Sequence, residues 1–382
     1  MNFIKADRIF DGERFLESDA VLAVAAAGEI KEITDTGKID PLKIQTLKGV
    51  ITPGFVNAHC HTELSHLKNK ISQKTGLPGF GKQIIFQRAS SAIDAIKEQI
   101  ATADKEMRDK GIVAVGDICN TWDSFEMKSN SSLYYHSFIE LLGLHPDRAE
   151  TMFDAGLVLL KKLQELGLAG SLAPHAPYST SLKLISAISN YNVAYHLPSS
   201  IHSQESEDET RFFKGITNGF HDLYQFLQMD ISWFVPPVTS SLEYFIEALG
   251  SQKTILVHNT CSDTRDINLT KGKNILWCFC PGANLYIEDR LPDFNLFLHE
   301  SERICLGTDS LASNTGLSII NEANLVLKNS SFSTEQVLKM MTLNGAKALC
   351  IEDNYGKLSA GKKMGLNLID IDDNQFKLIK TL

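Results

Sequence analysis

Two histidines a single residue apart, His59 and His61, close the apolar segment ITPGFVNAHCH that begins at Ile51. Alternate residues of a strand face the same side, so both imidazoles can aim at one ion. Imidazole is the commonest metal ligand near neutral pH. Further polar residues end apolar runs later in the chain: His175 in APHAPYSTS, His202 in IHSQES, His258 in LVHNT and Asp309 in LGTDSLASN. One histidine at such a place is ordinarily structural. The recurrence of His or Asp at five predicted strand ends is not explained by core packing. Three imidazoles and a carboxylate suit Zn²⁺ or another divalent transition metal, with room for a water. Such an ion lowers the pKa of its water towards about 7 and gives hydroxide at neutral pH. Glu205 stands three residues after His202 and can shuttle the proton without being a ligand. Asp309 can bind the ion and hold the attacking water, while His258 is open between ligand and orienting group. His175 is read as a substrate contact, against the alternative that it caps a turn between Pro174 and Pro177. That stretch offers no lysine for carbamylation, the usual bridge between two metals, so one ion is expected. Zinc leads, with iron and manganese as alternatives, because cellular supply decides among ions that fit one ligand set.

The elements that must position these residues are legible as a pattern. Candidate strands are Ile51–Ala58, Ile112–Asp117, Leu133–Leu141, Gly170–Ala173, Ser199–His202, Thr254–His258, Ile275–Cys280 and Arg303–Gly307. Helix-length amphipathic stretches lie between them: Ala89–Lys110, Phe153–Leu166, Leu182–Ser189, Leu242–Leu249 and Ile319–Leu327. Strands alternating with helices in this number predict an α/β fold, a TIM-like (β/α)8 barrel. Active sites of such barrels sit at the C-terminal ends of the strands, where the His and Asp residues fall. Both ends of the chain read as short strands and turns. They predict a small composite β-sandwich from residues 1–52 and 356–382, with the hydrolase barrel over 53–355.

Composition narrows the functions. The net charge of −9 argues against a nucleic-acid polymer or an anionic membrane as partner, though not against a nucleoside substrate. No run of 18 apolar residues is present, so no membrane span is expected. Seven cysteines without a C-x-x-C pair read as free thiols of a reducing compartment, and the N-terminus shows no signal-peptide pattern, which makes the cytoplasm the expected location. Cys278 and Cys280 alternate in an apolar strand and are read as core. His66 and His196 fall off the strand ends and read as structural, His136 as facing the barrel interior and Asp117 as supporting strand two. The acidic stretch His202–Arg211 reads as a solvated helix start, and Gly76–Gly81 (GLPGFG) as a mobile loop over the barrel mouth rather than a phosphate loop.

The same motifs resemble the amidohydrolase superfamily in its cytosine-deaminase-like branch, which includes chlorohydrolases, guanine deaminases and the S-adenosylhomocysteine and aminodeoxyfutalosine deaminases. PGFVNAHCH is similar to the opening H-x-H element and IHSQES to the H-x-x-E element. CPGANLYIEDRLPDF and LGTDSLASN resemble two later elements, and NGAKAL the closing helix. The resemblance implies metal ligands His59, His61, His202 and Asp309, Glu205 as proton shuttle, and His258 as the group that orients water or polarises the leaving group. It implies that His175 and Ser179 form a motif in which the histidine touches substrate. The segment after His61 departs from the branch's specificity loops, and Glu63 or His66 is expected to replace their contacts. Asn259-Thr260 also departs from the usual pair after the strand-six histidine. The implied activity is deamination of an amino-substituted heterocycle, a 6-aminopurine nucleoside, with 6-amino-6-deoxyfutalosine as leading substrate. The alternatives are hydrolytic dechlorination or deamination of a guanine- or cytosine-type base. A catalytically silent barrel acting as a binding protein is the alternative from another class. A homodimer is in keeping with the branch.

Overall fold

The computed structural model describes residues 1–26, 28–362 and 364–382. The chain opens with β1 (Asn2–Ile9), β2 (Ala20–Val24), β3 (Ile30–Asp35) and β4 (Ile44–Pro53). It continues through β5 (Phe55–Cys60), β6 (Ile112–Cys119), β7 (Tyr134–Leu141), β8 (Ala169–Pro174), β9 (Ser199–Ser203), β10 (Thr254–His258), β11 (Ile275–Phe279) and β12 (Ile304–Leu306). It closes with β13 (Leu366–Asp372) and β14 (Gln375–Thr381).

Both ends of the chain meet in one six-stranded sheet of order β14-β13-β4-β1-β2-β3. Only β1 and β4 pair in parallel; the other neighbours are antiparallel. Ile4, Ala6, Leu22, Ile51, Leu366 and Leu368 form the apolar cluster of this unit. The expected single strand Ile51–Ala58 is divided between two units. Its first residues end β4 in the terminal sheet, and its later ones begin β5. The break falls at Pro53-Gly54, where proline has no N–H for a ladder and a Cβ on Gly54 would lie 2.3 Å from Val113 Cγ1.

The middle strands form two parallel four-stranded sheets, β5-β6-β7-β8 and β9-β10-β11-β12. They abut at both edges near the C-terminal ends. The His202 amide donates to the His175 carbonyl (2.9 Å) on one side, and the Thr308 and Asp309 amides donate to the His59 carbonyl (3.0 and 3.1 Å) on the other. This is a mixed α/β architecture with the strand layout of a (β/α)8 barrel. The interior is filled by Val56, Ala58, Ile118, Phe138, Val257 and Cys278, one inward residue alternating with one outward. Cys278 and Cys280 are fully buried there, as core residues.

The helices fall on their sequence signals with shifted ends. Ile93–Asp109, Ala149–Glu165, Leu182–Ala194 and Ile319–Lys328 follow the amphipathic stretches, while Ser241–Phe245 ends early and continues as a 3₁₀ turn over Ile246–Ala248. The expected loop Gly76–Gly81 is instead the start of a helix, Gly76–Gln87. Pro78 lies in the first turn, where an N–H has no intrahelical partner to lose. The Glu288 carboxylate accepts from the Leu77 amide there (2.5 Å), anchoring the helix start.

Gly307 marks the tightest approach of the first and last barrel strands. A Cβ there would lie 2.8 Å from both the carbonyl oxygen and the Cβ of His59. Overpacking a buried contact of this kind costs about 1–3 kcal/mol. Gly307→Ala is expected to lower the urea midpoint accordingly and to reduce bound metal, measured by denaturation and by elemental analysis.

Candidate active site

The turns after the barrel strands carry the residues singled out by spacing. His59 ends β5 and His61 follows it; His202 lies on β9, His258 ends β10, and Asp309 stands three residues after β12. Gln204, His258, Asn259 and Asp309 have φ of 51°, 75°, 56° and 55°. Left-handed backbone is uncommon for non-glycine residues and persists where surrounding contacts over-determine it. Those contacts are present. The Asn259 amide donates to the Ser203 carbonyl (3.0 Å) and its side chain to the Leu256 carbonyl (2.8 Å). Gln204 donates to Asp266 (2.7 Å) and accepts from Ser262 (2.5 Å).

The structure brings three imidazoles and a carboxylate to one point. His61 Nε2 lies 3.1 Å from His59 Nε2 and 3.3 Å from His202 Nε2. Asp309 Oδ1 lies 3.3 Å from His61 Nε2 and 3.7 Å from His59 Nε2. A tetrahedron whose corners stand about 2.1 Å from its centre has edges of about 3.4 Å, so these spacings fit a four-coordinate divalent ion. All four side chains are buried or nearly so. Burial pushes the His61 imidazolium down to about 3 and lowers His59 as well, which keeps both rings neutral and able to ligate. Burial opposes the charge of Asp309, yet His59, His61 and His258 around it hold its carboxyl well below the usual range.

Outer contacts fix these ligands. The Nδ1–H of His202 donates to the His175 carbonyl (2.8 Å), which turns Nε2 to the cluster, and Ser313 Oγ donates to Asp309 Oδ2 (2.5 Å). His258 is resolved by the same logic. Its Nδ1 accepts from the Asn284 amide (3.2 Å), so its proton sits on Nε2. That N–H faces Glu205 Oε1 at 3.5 Å, and His258 also places a ligand-type nitrogen within 4.8 Å of those of His59 and His202. Asn284 also donates to Thr260 (2.8 Å), which gives Thr260 a role in setting His258.

Glu205 is buried, and burial, followed by the charges of Asp309 and Glu209, raises its carboxyl well above the usual range. The acidic stretch around it begins the helix Glu207–Phe213, with Ser206 as its cap. Glu209 is not solvated as expected. It is fully buried because its carboxylate accepts from the Gln204 and Glu205 amides (2.9 and 3.1 Å) and clamps the turn that carries Glu205.

The residues expected to touch substrate divide. His175 faces the cluster beside His202, their ring centroids 5.0 Å apart. Ser179 donates to the Ala176 carbonyl (3.2 Å) and lies 2.5 Å from His175 Nδ1, so it orients that ring. The polar atoms of Glu63 and His66 already have partners. Glu63 pairs with Arg88 (3.0 Å) and accepts from the Asn120 and Thr121 amides. His66 faces the Glu63 and Arg88 carbonyls. His136 lies lower in the barrel against Ser171 (2.9 Å).

Three supporting groups carry no sequence signal. Lys128, fully buried, pairs with Asp117 (2.6 Å) and donates to Cys119 and Ser137. Asp117 in turn accepts from the amide and hydroxyl of Thr62 (2.8 and 2.7 Å), the residue after His61. Glu322 accepts from the Gly282 amide and from Asn314, which holds the Thr308 carbonyl. Glu140 ends β7 beside His175 and His202.

A family model described as the amidohydrolase family matches residues 50–381, and the chain belongs to this family. It is 27% identical over 359 residues to an adenosine deaminase of Helicobacter pylori, covering 90% of this chain and 86% of that one. Its fold is similar to the Helicobacter pylori aminofutalosine deaminase in complex with methylthio-coformycin, with a TM-score of 0.82, 24% identity and coverage of 98% and 93% of the two chains. It is also similar to an adenosine deaminase from Xanthomonas campestris with bound zinc, with a TM-score of 0.75, 19% identity and coverage of 97% and 85%. The family makes the protein a metal-dependent hydrolase of C–N bonds. Among the described residues no helix is long and apolar enough to cross a membrane.

Two predictions follow from the buried charges. Removing one partner of a buried ion pair costs about 3–5 kcal/mol, whereas removing both can be nearly neutral. Lys128→Met should therefore destabilise by that amount in urea titrations, and Asp117→Asn added to it should restore part of the loss. Burial also pushes the Glu322 carboxyl up to about 7, above the unfolded value of about 4.3. Between these values the folded state keeps a proton that the unfolded chain releases, so this contribution falls as pH rises through the window. Glu322→Gln should flatten the decline of Tm between pH 4.5 and 7.

Proposed function

We propose that the protein deaminates an adenosine-like nucleoside at the amino-bearing carbon of its six-membered ring. The observation that carries this reading is one buried pocket with four convergent ligand atoms, a buried carboxyl at Glu205 and an N–H donor at His258. We read His59, His61, His202 and Asp309 as the residues that hold one divalent ion. Zinc leads, supported by the bound zinc of the Xanthomonas campestris deaminase. Such an ion supplies Lewis acidity and lowers the pKa of water.

The chain's own groups do the rest. Asp309 accepts a hydrogen bond from the attacking water and aligns it with the ring carbon. Glu205 donates a proton to the adjacent ring nitrogen, which makes the carbon electrophilic. It then takes a proton from the water and passes it to the amino group, which leaves as ammonia, and the remaining hydroxyl proton returns to Glu205 as the ring carbonyl forms. The His258 N–H donates to the incoming oxygen as the carbon becomes tetrahedral. His175 borders the substrate, and residues 53–355 form the catalytic unit, flanked by the β unit from 1–52 and 356–382. The aminofutalosine deaminase likeness supports 6-amino-6-deoxyfutalosine as the leading candidate within the nucleoside class.

The test is ammonia release by the zinc-loaded protein from adenosine, 5′-deoxyadenosine, S-adenosylhomocysteine and aminodeoxyfutalosine, with guanine and cytosine as controls. Release from a nucleoside subset is expected. Release from the free bases alone, or from none, would overturn the reading. Glu205→Gln is expected to lower kcat by at least about a thousandfold while the metal content, measured by elemental analysis, stays near that of the wild type.

A further inference from the structure

Glu140 is a buried carboxylate that the proposed reaction does not use. It ends β7 on the same face as Phe138, which lies in the barrel interior, so it points inward at the mouth. Its Oε2 accepts from the Asn120 side-chain amide (2.9 Å). Arg88 donates to Asn120 Oδ1 (2.9 Å), which fixes the amide so that its NH₂ faces Glu140. Oε1 has no hydrogen-bond partner although the side chain is only 4% exposed. It stands 3.6 Å from His202 Nδ1, but the proton on that nitrogen is already given to the His175 carbonyl. A buried carboxylate oxygen without a donor is costly and calls for one.

The neighbouring His175 presents a second acceptor. Ser179 donates its hydroxyl proton to the Ala176 carbonyl, so His175 donates from Nδ1 to Ser179 and keeps a lone pair on Nε2. Glu140, His175 and His202 each place a ligand-type atom within 4.8 Å of the others. A second metal does not fit this trio, because His202 Nδ1 is a donor there and only two acceptors are left. Two adjacent acceptors match two adjacent donors. On an adenosine-like molecule the ring nitrogens away from the amino group are acceptors and would be repelled. The sugar hydroxyls are the donors that remain.

We infer that Glu140 is a specificity-determining residue, whose free oxygen accepts from a sugar hydroxyl of the substrate. This rests on the deaminase reading above and adds to it a preference for hydroxylated nucleosides over deoxy analogues and free bases. A hydrogen bond to a charged group of this kind is worth about 10- to 100-fold in affinity.

Binding is measured by calorimetry on zinc-loaded Glu205→Gln, which separates binding from turnover, using adenosine, 2′-deoxyadenosine and 3′-deoxyadenosine. Adenosine is expected to bind at least about tenfold more tightly than one of the deoxy analogues, with the difference lost when Glu140→Gln is added and one zinc still bound per chain. An unchanged preference would overturn the assignment. So would an equal loss for all three nucleosides together with loss of zinc, which would make Glu140 a support for His202. A second zinc equivalent in the parent that Glu140→Gln removes would likewise overturn it. Ammonia release by the wild type with no effect of Glu140→Gln on preference sinks only this inference. A hydroxyl preference without ammonia release sinks only the deaminase reading.

Discussion

Three imidazole nitrogens and a carboxylate oxygen, with neighbouring pairs 3.1 to 3.7 Å apart in the interior, crowd lone pairs together unless a cation lies among them. Most of the barrel's C-terminal rim exists to hold that arrangement. The ligands come from three places far apart in sequence, and backbone hydrogen bonds rather than side-chain packing bring them together. The His59 carbonyl accepts from the Thr308 and Asp309 amides, which joins the first barrel strand to the last at the point where both deliver a ligand. The His175 carbonyl does the same for His202, once through its amide and once through its ring. Gly307 permits the first of these contacts because it has no Cβ to meet His59.

The second layer is built from buried charges, each answered by backbone N–H groups or by an opposite charge. Asp117 and Lys128 fix the chain after His61, Glu209 fixes the turn of Glu205, and Glu322 links the Asn284 helix to the loop of Asp309. Burying an ion is expensive, so such groups stay where their partners are complete. Their common geometry is a carboxylate that collects the free amides of a strained turn. The amides that Glu209 collects hold Gln204 in left-handed backbone, and carbonyl acceptors hold the amides of Asn259 and Asp309. Stability and the geometry of the site therefore share the same contacts.

Much of this was legible in the chain. The H-x-H spacing, the H-x-x-E spacing and the polar ends of apolar runs identify His59, His61, His202, Glu205, His258 and Asp309, because strand periodicity alone tells which residues reach the rim. The alternation of strands and helices likewise foretells the parallel sheets, and the β-rich ends foretell their common sheet. Local signals misled where a distant partner decided. GLPGFG reads as a loop by composition, but Glu288 accepts from its Leu77 amide and a helix begins. Glu209 reads as a solvated helix residue, but the two amides it caps lie on the turn behind it, in the interior.

Residue type and spacing by themselves determined the fold class and the kind of chemistry, and they marked the histidines and the aspartate that the structure brings together. These follow from periodicity and from the coordination preferences of imidazole and carboxylate, both local properties. Only the tertiary structure decided the tautomer of His258, through Asn284, and the engagement of Glu63 with Arg88. It alone showed that Glu140 buries a carboxylate oxygen without a hydrogen-bond partner. Each of these depends on a partner from another strand or loop, and the pairing of distant groups is set by the packing of the whole barrel rather than by any segment of it.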